Sequence, residues 1–255
     1  MNLKMTPMIR AFTVSWVVTL AACGGGDGGT TPVLVASAEG LWTGSTGTSR
    51  TVTGVVLDNG SYWILYSFPN VSALVAGFVQ GTGTSASGSF SSSDGMDFNP
   101  SEKGVNKATV SASYAVKQSF NGSVSYASVN SPFTFTSTYV ANYDQTPSLS
   151  AIAGNYVGLA SMTGSNEPVT IVVSSQGIVA GTGGTSGCQY AGVAAPRAKG
   201  NLYDLSMVVG GGGNCATGTS AVTGIAYFDS GAKRLYLTAL NSARSNGLIF
   251  SGIKP

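Results

Sequence analysis

Lys107-Ala-Thr-Val-Ser-Ala-Ser-Tyr-Ala-Val116 and Ser119-Phe-Asn-Gly-Ser-Val-Ser-Tyr126 flank the dipeptide Lys117-Gln118, and their alternation decides the fold class. Ala108, Val110, Ala112, Tyr114 and Val116 fall on one parity, and Lys107, Thr109, Ser111, Ser113 and Ala115 on the other. Phe120, Gly122, Val124 and Tyr126 continue the pattern, as do Phe133 and Phe135 against Thr134 and Thr136. A period of two with one apolar face marks antiparallel strands that cover a core on one side and meet water on the other. Upstream, Asp58-Asn59-Gly60-Ser61 separates residues 50–57 from 62–66, and Asn-Gly there signals a hairpin with a type I′ turn.

Working outward, the two halves of the chain begin alike. Gly40-Leu-Trp42-Thr-Gly44 is followed by Val52-Thr-Gly-Val-Val-Leu-Asp-Asn-Gly60, and Gly154-Asn-Tyr156-Val-Gly158 by Val169-Thr-Ile-Val-Val-Ser-Ser-Gln-Gly177. Both read Gly-x-aromatic-x-Gly and then Val-Thr-x-Val-Val with a closing glycine. The repeat predicts two related domains, residues 38–145 and 150–255, joined by a connector with one helical turn opened by Pro147. Strand-like segments recur at the spacing of about 8–12 residues typical of sandwiches and barrels, seven or eight in each half. The expected fold is all-β: two tandem small antiparallel domains, each an eight-stranded up-and-down barrel, because closure removes exposed edges. A β-sandwich is the alternative. Outward positions rich in Ser, Thr and Lys argue against a membrane-spanning barrel.

Residues 1–22 form a secretory signal. Lys4 and Arg10 supply the positive start, and residues 11–20 an apolar stretch too short to span a bilayer. Leu20-Ala21-Ala22-Cys23 resembles the lipobox of bacterial lipoproteins, which implies cleavage before Cys23, diacylglycerol on its thiol and a further acyl chain on its amine. Residues 23–37 then make a tether, with Gly24-Gly-Gly-Asp-Gly-Gly29 at its start. In lipoproteins of this kind an Asp directly after the cysteine favours the inner membrane. Gly24 stands there, so the expected location is the outer membrane, lipid-anchored, facing the periplasm or the surface.

Composition excludes several classes. Without Lys4 and Arg10, ten of the 12 basic residues remain against ten acidic ones, so the mature chain offers no basic surface for nucleic acid. The chain holds no histidine, which excludes Ser-His-Asp and Cys-His triads and most zinc sites. Besides Cys23 there are two cysteines, Cys188 and Cys215, and an isolated pair in an oxidising envelope is expected to be bonded.

Gly40-Leu-Trp-Thr-Gly44, Leu57-Asp-Asn-Gly-Ser-Tyr-Trp63, Tyr143-Asp-Gln-Thr-Pro-Ser-Leu149 and Thr223-Gly-Ile-Ala-Tyr-Phe-Asp229 resemble an uncharacterised family of two-domain proteobacterial outer-membrane lipoproteins. The likeness spans nearly the whole mature chain and implies no activity. More loosely, small lipid-anchored barrels are similar to the barrel domains of surface lipoproteins that bind host proteins, an analogy of fold alone.

The remaining chemistry is sparse. Asp94, Asp97 and Glu102 cluster without the spacing of a calcium loop and read as a solvated loop. Gly24-x-Gly26-x-x-Gly29 and Gly81-x-Gly83-x-x-Ala86 imitate a dinucleotide fingerprint but open no helix. Lys233, Arg234 and Arg244 read as a solvated strand end. Trp42, Tyr62, Trp63 and Tyr66 concentrate near the first hairpin with apolar residues on both faces, which makes them the candidate interface beside plain core packing. The inward candidates Tyr114, Phe120, Val124, Tyr126, Phe133 and Phe135 are bulky enough to predict a filled first barrel. No enzyme, metal or cofactor is expected. The leading expectation is a non-catalytic binding or interaction module that engages a protein or envelope component through loops or the first hairpin. An envelope structural protein and a lipocalin-like carrier of a small apolar ligand are the alternatives.

Overall fold

The structure is a computed structural model and describes residues 36–255 apart from Lys103, Gly212, Gly213 and Thr217. The expected signal segment 1–22, the expected lipidation residue Cys23 and the expected tether as far as residue 35 lie outside the described residues.

The first half forms β1 (Gly40–Thr46), β2 (Thr51–Val56), β3 (Ser61–Phe68), β4 (Val71–Thr82), β5 (Thr84–Ala86), β6 (Ser89–Asn99), β7 (Gly104–Ala115), β8 (Ser119–Ser125) and β9 (Phe133–Tyr139). Each strand except β4 pairs antiparallel with the next, β9 returns to β1, and β4 pairs with β6, so the sheet closes. The short β5 continues β4 along β6, which leaves eight staves in the barrel. The second half forms β10 (Gly154–Met162), β11 (Ser165–Val173), β12 (Ile178–Gly183), β13 (Gln189–Pro196), β14 (Tyr203–Gly210), β15 (Ser220–Asp229), β16 (Arg234–Asn241) and β17 (Gly247–Ile253), a closed barrel in the same meander. The architecture is therefore all-β, two eight-stranded antiparallel barrels. Between them a 3-10 turn (Ala141–Asp144) and the helical turn α1 (Leu149–Ile152) form the connector.

The sequence repeat and the structural repeat coincide. Trp42 of β1 donates its indole N–H to the Ala38 carbonyl (3.0 Å), and Tyr156 of β10 donates its hydroxyl to the Ile152 carbonyl (2.8 Å), in each case four residues back. The hairpin at Asp58-Asn59-Gly60 is present, with a different turn from the one its Asn-Gly implies. Gly60 alone has a positive φ (81°); its N–H donates to the Leu57 carbonyl (3.0 Å), and the Leu57 N–H to the Ser61 carbonyl (2.8 Å). This is a three-residue loop with a glycine bulge. The Asn59 side chain accepts the Ser61 N–H (3.0 Å), a local bond that substitutes for a second left-handed residue. Ser174 to Gly177 repeats the geometry in the second barrel, again with a φ of 81° at the glycine.

Two of the three apolar cores lie inside the barrels. Trp42, Tyr62, Phe90, Phe120 and Phe135 interlock inside the first, with ring centroids 5.4–5.6 Å apart. Tyr156, Ile171, Tyr190, Tyr203, Leu237 and Phe250 are among those inside the second. The third core lies between the barrels. Leu41, Val55, Leu57, Trp63, Leu65, Phe78 and Phe98 from the outer wall of the first pack with Leu202, Ile225, Tyr227, Leu240 and Ile249 of the second, and Tyr143 of the connector joins them. At roughly 1.5–3 kcal/mol for each large apolar side chain removed from water, this wall binds the barrels into one body.

Polar ties frame that wall. Arg197 of the second barrel bonds Asp58 (3.1 Å) and Asp204, and Arg244 donates to the carbonyls of Gln80 (2.6 Å) and Asp94 (2.8 Å). Arg234 reaches the Ala73 carbonyl (3.3 Å). Arg234 and Arg244 are thus ties to the first barrel instead of a solvated strand end. The outer face of the first hairpin, with Trp63 and Leu65, is covered by the second barrel and is not free to meet an outside partner.

Candidate functional site

One feature of β6 positions the site. Ser92 pairs with Val110, and the next paired residue, Gly95, lies opposite Ala108, so β6 carries one residue more than β7 there. Such a bulge reverses which parity faces inward. Before it, Phe90 and Ser92 point into the barrel, and Ser92 receives the Tyr62 hydroxyl (3.1 Å). After it, Met96 and Phe98 turn out to the inter-barrel core, and Asp97 turns in.

Asp97 is 5 % exposed. Its Oδ1 accepts the Tyr66 hydroxyl (2.7 Å) and its Oδ2 the Tyr126 hydroxyl (2.8 Å). Burial pushes its carboxyl up to about 6, against the two tyrosine bonds, which act to lower it. Burial and the carboxylate beside them raise both tyrosine hydroxyls well above their ordinary range.

Above this floor a pocket of about 300 Å³ opens at the end of the barrel formed by the β1–β2, β6–β7 and β8–β9 loops. Its walls mix apolar and aromatic groups (Val52, Ile64, Val79, Val124, Phe133, Phe135) with Arg50, Asn99, Glu102 and Asn106. The Arg50 guanidinium lies over the Tyr66 ring, 5.5 Å from its centroid, and donates to the Ser67 carbonyl (2.7 Å). Glu102 at the rim accepts from the amides of Asn99 (3.2 Å) and Asn106 (3.5 Å). The filled interior expected for this barrel is therefore present at one end only. Trp42, Phe90 and Phe120 pack the far end, while Phe133 stands at the mouth and is 40 % exposed.

The corresponding end of the second barrel is capped. Cys188, beside the β12–β13 turn, is disulfide-bonded to Cys215 in the β14–β15 loop, closing 27 residues of chain. Beneath the cap Glu167, 1 % exposed, accepts the Thr185 N–H (3.1 Å), the Ser186 N–H (2.9 Å), the Ser186 hydroxyl (2.7 Å) and the Tyr190 hydroxyl (3.0 Å). Burial acts to raise this carboxyl, but the bonds from Ser186, Thr185 and Tyr190 outweigh it and hold the group below its ordinary value.

The residues singled out in the sequence separate in the structure. Trp42 and Tyr62 belong to the interior of the first barrel, Trp63 to the wall between barrels, and Tyr66 to the pocket. The acidic trio also divides, and it is no solvated loop. Asp94 bonds the Thr82 N–H (2.9 Å) and faces Arg244 (3.4 Å), Asp97 forms the pocket floor, and Glu102 its rim. Tyr126 is inward as its parity implies, but Arg50 had no signal as a site residue, because nothing local in the sequence reports the distant bulge.

No family model and no curated protein sequence matches the chain. Among solved structures it is similar to a "putative outer membrane protein" from Bacteroides fragilis NCTC 9343, at 15% identity and a TM-score of 0.25, over 86% of this chain and 97% of that one. A score this low carries no argument about function.

Proposed function

We propose that the protein is a non-catalytic binding module of the cell envelope, anchored in the outer membrane by lipid at Cys23, whose first barrel holds a small ligand in its open end. The observation that carries this reading is the pocket of about 300 Å³ above Asp97, at the small end of the range for ligand sites. Its apolar walls with a few convergent polar groups are the usual make-up of such sites. The second barrel acts as a brace: its corresponding end is capped, and it covers the outer face of the first hairpin. The hydroxyls and carboxylate at the pocket floor hold one another, with no nucleophile poised beside a base among the described residues, which supports binding over turnover.

Native mass spectrometry of protein extracted from its own envelope, together with displacement of an apolar dye from the mature chain, tests the reading. A stoichiometric copurifying small molecule, or saturable dye binding that Ile64→Trp abolishes by filling the pocket, is the expected result. Dye binding unchanged by Ile64→Trp would place the ligand elsewhere. The anchor is tested separately: Cys23→Ala should abolish acyl labelling and leave unprocessed precursor.

A further inference from the structure

We infer that the pocket of the first barrel selects small organic cations, with an ammonium group seated at Asp97 and an apolar or aromatic body lying against the valine and phenylalanine wall. This rests on the ligand-binding reading above and adds the chemical class of the ligand.

Three observations converge. First, the floor carries a buried carboxylate whose two oxygens each hold one hydroxyl donor, so each keeps accepting capacity toward the cavity. Second, among the described residues the charged groups acting on Asp97 are Glu102 and Arg50, and Arg50 is already engaged by the Ser67 carbonyl and the Tyr66 ring. Two carboxylates against one guanidinium leave a net negative field, which attracts a cation and repels a second anion. Third, Tyr66, Tyr126, Phe133 and Phe135 surround the space with aromatic groups. Arg50 over Tyr66 shows that such a face in this pocket already holds a cation. A carboxylate or phosphate would have to displace these contacts and enter beside two like charges.

The test is isothermal calorimetry on the full mature chain with three probes of matched shape: phenethylammonium, phenethyl alcohol and 3-phenylpropionate. Near neutral pH the ammonium should bind more tightly than either other probe by about tenfold or more. Asp97→Asn should bring the ammonium and the alcohol to within about twofold of each other, and Glu102→Gln at the exposed rim should cost the ammonium only about two- to threefold. The groups facing Asp97 are Tyr66 from β3, Tyr126 beyond β8, Glu102 from the β6–β7 turn and Arg50 ahead of β2. Burial holds both tyrosine hydroxyls well above their ordinary range. Lowering the pH through about 6 should therefore weaken the ammonium as Asp97 takes its proton, and leave the alcohol unchanged. This series on the unmodified chain decides the matter if Asp97→Asn does not fold.

Tightest binding by 3-phenylpropionate, or equal binding of ammonium and alcohol, overturns the cation assignment while leaving a ligand-binding barrel. Failure of all three probes together with failure of dye binding removes the ligand-binding reading itself.

Discussion

The two barrels share strand order, hairpin geometry and the aromatic that ties each first strand to the chain before it, yet their corresponding ends are finished in opposite ways. Two residues before the valine of the shared Val-Thr-x-Val-Val motif stands Glu167 in the second barrel and Arg50 in the first. Glu167 receives three donors from a cap locked by Cys188–Cys215 and a fourth from Tyr190, and is 1 % exposed. In the first barrel the carboxylate comes from another strand, Asp97 of β6, receives two donors and faces a cavity. Four bonds overcome burial and two do not, so the same functional group is held below its ordinary value in one barrel and above it in the other. A repeated scaffold thus supplies the container, and the donors at its mouth decide whether it is a plug or a pocket.

The largest perturbation strikes the wall that both barrels share. Phe98→Ala removes a fully buried ring there and should cost about 3–5 kcal/mol. Calorimetry should then resolve one cooperative melting transition into two; an unaltered single transition would show that the wall does not couple the barrels. Next comes the cap. Replacing both Cys188 and Cys215 with Ser should destabilise the second barrel by about 3 kcal/mol in the chain-entropy model. Trp42 lies inside the first barrel and Trp63 on its outer wall, and residues 150–255 hold no tryptophan, so fluorescence weights the first barrel. Its denaturation should move less than circular dichroism does.

A smaller loss, about 2 kcal/mol, is expected of Glu167→Gln, which leaves donors of the cap without their charged acceptor. The pH dependences should then oppose each other. Because the folded value of Glu167 lies below its ordinary 4.5, its contribution is present above that pH and disappears as the pH falls through the folded value. Asp97 behaves in reverse. Its carboxyl stands at about 6 in the folded state against an ordinary 3.8, so the folded chain binds the extra proton in that window, and the first barrel gains stability as the pH falls from 6 toward 4. Asp97→Asn should accordingly leave stability near neutral pH unchanged or raise it by about 1–2 kcal/mol. Denaturant titrations at several pH values, followed by tryptophan fluorescence for the first barrel and by circular dichroism for the whole chain, check both signs; parallel pH profiles for the Glu167 and Asp97 variants would erase the electrostatic distinction between the two ends.

Strand alternation made the fold legible, because in a barrel with one wet face parity and burial are the same variable. The repeat marked the two halves for a related reason: Gly40 and Gly154, Trp42 and Tyr156, and Gly60 and Gly177 answer to backbone needs that recur in each barrel. The cysteine pair was legible from its isolation in the chain. The pocket was not. Asp97 and Phe98 read by parity alone would place the ring inside and the carboxylate outside, and only the extra residue between Ser92 and Gly95 exchanges them. Arg244 and Arg234 carry no local mark of their partners, which lie on the first barrel far away in sequence.

The bulge in β6 also has a hereditary consequence. Losing a single codon from the stretch between Ser92 and Gly95 would slide the parity of everything up to Asn99, sending Asp97 into the apolar wall and Phe98 into the pocket in one event. The pocket end therefore stands one small deletion away from losing its carboxylate floor. The guanidinium of Arg244 donates from the other barrel to the Asp94 carbonyl inside that stretch, so the second barrel steadies from behind the irregularity that turns Asp97 inward.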